Sequence, residues 1–68
     1  MNDETFNLSL RKFLKTVGVN SQREIEQAVA DAIAGGHVHG NESLPATMTL
    51  EIPGIKLHVV FDGEIKLA

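Results

Sequence analysis

Three histidines carry the metal-ligand character of this sequence: His37, His39 and His58. In extended backbone, alternate side chains point the same way. His37 and His39, as an H-x-H pair, could then offer both imidazoles to one ion, and zinc accepts such ligands. His58 or Glu42 would complete the set. The plainer reading is a solvated loop between glycines, where paired histidines are more often free than ligating. Cysteine is absent, which excludes disulfides and thiolate metal sites.

Other chemistry fares worse. Ser9, Ser21 and Ser43 lie in no nucleophile-elbow context and read as helix surface, helix cap and loop. Glu24 and Glu26 read as solvated helix surface, Glu51 as strand surface and Asp62 as a turn residue. Gly35-Gly36 and Gly40 are not followed by the Lys and Ser/Thr of a phosphate loop. A chain this short also has little room for a cleft. The sequence therefore reads as a non-enzyme without a cofactor.

A helix-turn-helix is the sharpest competing pattern. Val17-Gly18-Val19 resembles its turn, and Gln22, Arg23 and Gln27 would lie near the start of a reading helix. Against it, Leu14 stands where a small residue usually lets the helices cross. Ile25 falls one residue late, and Glu24, Glu26 and Asp31 line the reading helix. The net charge of −3 also disfavours a phosphate-rich partner.

The elements that would position these residues read as follows. Asn2 or Asp3 caps a first helix, and Phe6, Leu10, Phe13, Leu14 and Val17 follow one helical face. Leu8 falls off that stripe, among Arg11, Lys12 and Lys15. Gly18 reads as a left-handed cap with Val19 folding back on Leu14. Ser21 and Glu24 match a capping box, opening a second helix with Ile25, Ala28, Val29, Ala32 and Ile33 on its stripe. Gly35 and Gly36 end it. Residues 36–46 form a loop, with Leu44-Pro45 at the entry to a sheet.

From Thr47 to Leu67 the apolar residues alternate, as in strands. Pro53-Gly54 marks one turn, looser than two residues because a type II turn twists the wrong way for a tight hairpin. Asp62-Gly63 marks a second. A two-residue turn there pairs Val60 with Ile65 on the face away from Leu57, Val59 and Phe61. A three-residue loop puts Ile65 on the Leu57 face instead.

The expected fold is α+β. It is a single domain over 1–68, with a helical hairpin at about 3–35 packed on one face of a three-stranded antiparallel meander at about 47–67. Its expected core is Phe6, Leu10, Phe13, Leu14, Val17, Ile25, Val29, Ile33, Leu50, Leu57, Val59 and Phe61.

With 68 residues, such a domain is marginal alone, and small domains commonly add a disulfide, a metal or a partner subunit. Leu8, Ile55, Val60 and Ile65 are left over for an interface. The expected partner is a second copy, with a dimer as the first guess, and neither a membrane nor a nucleic acid. No apolar run approaches the ~20 residues of a membrane span, and the start Met1-Asn2-Asp3-Glu4 lacks a basic leader, so the expected address is cytoplasmic.

Four segments together resemble a small family of short, uncharacterised bacterial proteins, a domain of unknown function. They are Glu4 to Asn7, Arg11 to Val19, Gly40 to Ala46 and Met48 to Gly54. The resemblance spans nearly the whole chain. It implies a bacterial, cytoplasmic, single-domain setting and carries no site residues.

Overall fold

A single α-helix, α1, spans Asp3–Ala34. Two strands follow, β1 at Ser43–Ile52 and β2 at Leu57–Lys66, joined by a 3-10 turn at Pro53–Ile55. The computed structural model describes residues 1–68, which divide into two compact units, Met1–His37 and Val38–Ala68. The fold is α+β, but the expected pair of helices is one helix and the expected three strands are two.

The helix starts where the sequence placed its cap. The Asn2 side chain accepts from the Thr5 amide at 3.0 Å, and Asp3 and Glu4 occupy the first turn, at the positive end of the helix dipole. Gly18 does not end it. One interior glycine costs about 1 kcal/mol relative to alanine, while each residue added to a formed helix gains a hydrogen bond. The Ser21–Glu24 spacing is shared by a capping box and by any two neighbours on a helix face, and here it is the latter.

The true stop is at Gly36, whose φ of +76° few other residues adopt readily. The His37 amide donates to Ala32 O at 2.8 Å and the Gly36 amide to Ile33 O at 3.1 Å. This is the Schellman pattern that the sequence placed at Gly18, found instead at the Gly35-Gly36 stop that the sequence also expected.

In the second unit the strands pair antiparallel over ten positions, from Ser43 opposite Lys66 to Ile52 opposite Leu57. The connection is longer than two residues, as expected from Pro53, and Lys56 closes it in the left-handed region at φ 55°. Asp62-Gly63 is not a turn. Both residues lie within β2, opposite Thr47 and Ala46. Extending β1 back through Pro45 to Ser43 gives β2 ten partners, and that ladder outweighs a two-residue turn signal.

The register sorts the ribbon into two faces. One carries Leu44, Ala46, Met48, Leu50 and Ile52 opposite Ile65, Gly63, Phe61, Val59 and Leu57. The other carries Ser43, Pro45, Thr47, Thr49 and Glu51 opposite Lys66, Glu64, Asp62, Val60 and His58. Val60 and Ile65 therefore face opposite ways. Val60 is the one large aliphatic side chain on the polar face.

No side chain of the chain is buried. Of the expected core, Phe6, Leu10, Phe13, Leu14, Ile25, Ile33, Val59 and Phe61 are exposed, and Val17, Val29, Leu50 and Leu57 are half-buried. The physical reason is that a lone helix and a two-stranded ribbon each have faces but no interior.

Candidate functional site

The histidines fall in three settings. His37 follows the helix and gives its amide to the terminal cap. His39 lies in the loop before β1. His58 lies on the polar face of the hairpin, its Nδ1 3.5 Å from Glu51 Oε1 across the strands. Both of the latter side chains are well exposed, so the pair contributes little to stability. No group of three or more metal-ligating side chains is assembled.

Glu42 has a definite job that its sequence context did not reveal. Its carboxylate accepts from the amides of His39 (2.9 Å to Oε2, 3.1 Å to Oε1), Gly40 (2.9 Å) and Asn41 (3.1 Å). Gly40 has a φ of +102°, which favours glycine there. The Leu67 amide donates to the Glu42 carbonyl at 2.9 Å, which extends the sheet pairing by one step. The charge of the carboxylate thus satisfies a turn of free amides beside the start of β1. These bonds, led by the one from His39, hold the carboxyl below the usual glutamate range, while partial desolvation acts the other way.

Gln22, Arg23 and Gln27 lie inside the continuous helix, so the turn that would make them the start of a reading helix is absent. The Gln27 amide instead donates to Asp31 Oδ1 one turn on, at 3.0 Å. The depression beside Lys15, Thr16, Val19 and Asn20 is an open dent along the helix rather than an enclosed cleft.

Each unit, taken by itself, presents apolar surface. Of the residues expected at an interface, Leu8, Ile55 and Val60 are exposed and Ile65 is half-buried. Ile55, at the hairpin tip, is the most exposed of them, at 69%. Further apolar surface comes from residues expected in the core, Phe6, Phe13 and Leu14 on the helix and Phe61 on the hairpin, and from Met48 opposite Phe61. No helix is long and apolar enough to cross a membrane. The candidate functional surface is therefore the helix stripe and the apolar hairpin face, not a pocket.

No curated protein and no solved structure matches the sequence significantly. The match that exists is to a family of unknown function, DUF6494, and it runs over residues 1–68. From its first residue to its last, the chain belongs to that family.

Proposed function

We propose that this protein is a small homo-oligomeric interaction module whose fold is completed by a second copy of itself, with a dimer as the basic unit. The observation that carries this reading is that neither unit by itself contains a buried side chain, while each has an apolar face. An isolated two-stranded hairpin is marginal in water, and most helical stability in proteins comes from packing an apolar face. Without cysteine, no disulfide can supply the deficit.

Sedimentation equilibrium from nanomolar to high micromolar concentration tests the proposal, read beside thermal melting over the same range. The expected result is a dimer whose melting temperature rises with concentration, because partner binding stabilises by mass action. A monomer that stays folded at micromolar concentration would overturn it.

A further inference from the structure

The outer edge of β2 is an uninterrupted row of main-chain donors and acceptors. The Leu67 amide bonds to the Glu42 carbonyl, which fixes where hydrogen-bonded pairs fall along the ladder. Counting from there, His58, Val60, Asp62, Glu64 and Lys66 turn their amides and carbonyls away from β1. Each of these residues has an N–H to give, and the sheet has no third strand to receive it. The matching row on β1 is Ser43, Pro45, Thr47, Thr49 and Glu51, and it lacks a donor at Pro45. The two edges are therefore unequal, and β2 has the complete one.

From this edge we infer that β2 pairs with β2 of a second copy, antiparallel about a twofold axis at Phe61, so that two hairpins make one four-stranded sheet. The inference rests on the homo-oligomer reading above and names its contact. A twofold axis perpendicular to the sheet runs the strands antiparallel and keeps both apolar faces on the same side. Outward groups must meet outward groups, so the axis passes through a residue and its own copy. An axis at Phe61 overlaps the strands from Leu57 to Ile65, and one at Asp62 from His58 to Lys66. An axis at Val60 shortens the overlap to Leu57 through Gly63.

Charge decides between the two long overlaps. With the axis at Phe61, His58 of each copy stands opposite Glu64 of the other, and Val60 opposite Asp62. His58 already lies 3.5 Å from Glu51 of its own chain, so its imidazole would sit between two carboxylates and can serve both. Lys66 runs past the start of the other strand, to the level of Lys56. With the axis at Asp62, that acid meets its own copy and His58 meets Lys66. Like charges directly opposite are unfavourable. The apolar face accepts the Phe61 register. The two Phe61 side chains meet in a non-hydrogen-bonded pair, the closer kind, while Val59 meets Gly63 and Leu57 meets Ile65. Gly63 is bare, since a Cβ built there meets nothing within 4 Å. Phe61 of the other copy lies diagonal to it, where an aromatic ring can cover a strand glycine. Val60, alone among polar side chains on its face, gains its own copy as a diagonal neighbour.

The test compares two proline substitutions in the full chain, read by sedimentation. Asp62→Pro removes an outward amide of β2, and Thr47→Pro the outward amide directly opposite on β1. Neither deletes a bond within the hairpin. In the proposed dimer Asp62→Pro deletes two bonds between copies, because the axis repeats the loss. It is expected to weaken dimerisation roughly ten-fold or more, while Thr47→Pro leaves it near the parent value. Equal effects of the two would overturn the edge pairing. A spin label at Asp62→Cys, in a chain with no native cysteine, reads the geometry without a proline. Strand rise and spacing put the two Asp62 Cα atoms about 8 Å apart, so the labels should lie within about 20 Å. Packing the apolar faces against each other would send the labels to opposite outer sides, roughly 25 Å apart or more. A dimer with that longer distance would overturn the edge pairing and leave the homo-oligomer reading standing. A folded monomer would overturn both.

Discussion

Met48 lies directly across the hairpin from Phe61, and both stand about half exposed, at 44% and 56%. A cross-strand pair of this kind is ordinarily sealed against a third layer. The size of a truncation effect therefore reports what lies over it. With the face open to water, Phe61→Ala removes little burial and costs under about 1 kcal/mol. With a second copy seated there, the cost rises toward the ~3–5 kcal/mol of a core phenylalanine. We expect the larger value in chemical denaturation at fixed protein concentration.

Continuity of the helix through Gly18 makes a sharp prediction for Asn20→Pro. In a connection between two helices, a proline two residues past a left-handed Gly18 cap would be tolerated. Inside one helix it removes a hydrogen bond and clashes with the preceding turn, at a cost of about 3 kcal/mol or more. Circular dichroism should show a large loss of helicity. A spectrum unchanged from the parent protein would restore the two-helix reading.

The Glu42 clamp predicts a pH dependence with a definite sign. The folded-state carboxyl titrates below its ordinary value, so its contribution is present above that value. It fades as the pH falls through the lowered pKa. Glu42→Gln removes the charge that favours the three amides. The parent protein should melt higher than this variant near neutral pH, and the difference should close on acidification. A gap that persists unchanged at low pH would show that the carboxylate charge is not what holds the loop.

Lys56 adopts a conformation that costs an L-residue roughly 1–2 kcal/mol. Glycine relieves that strain but increases the freedom of the unfolded chain. Lys56→Gly should raise stability by a net ~0.5–1 kcal/mol, read from the denaturation midpoint. A loss of stability would mean that the lysine side chain makes contacts that outweigh its strain.

What the sequence made legible was local, and what it hid was a contest between local and extended signals. The Asn2 cap, the stop at Gly35-Gly36 and the loose connection at Pro53 each depend on a few adjacent residues, and each is found where expected. Gly18 and Asp62-Gly63 carry the same kind of signal, yet each is absorbed into a longer element. A 32-residue helix tolerates one glycine, and a ten-pair ladder absorbs a turn dipeptide. The error at Asp62 began at Pro45. Placing Pro45 outside the strand shortened β1, and a short β1 left the end of β2 looking for another partner. The second-face argument for an interface, built on Val60 and Ile65 together, fails with that turn. The apolar faces without an interior replace it. Glu42 was hidden for another reason: its partners are backbone amides, which no residue type announces.

One consequence of Pro45 reaches beyond its own strand. The bond from the Leu67 amide to the Glu42 carbonyl sets the alternation of the ladder, and by that alternation Pro45 occupies a pair whose amides point outward. A proline has no N–H to offer there. In a two-stranded ribbon both strands are edges, open to any passing extended chain. Pro45 interrupts the donor row of β1 near one end, so templated strand addition is disfavoured along that edge. One edge of the ribbon is thereby blunted against fibrous growth.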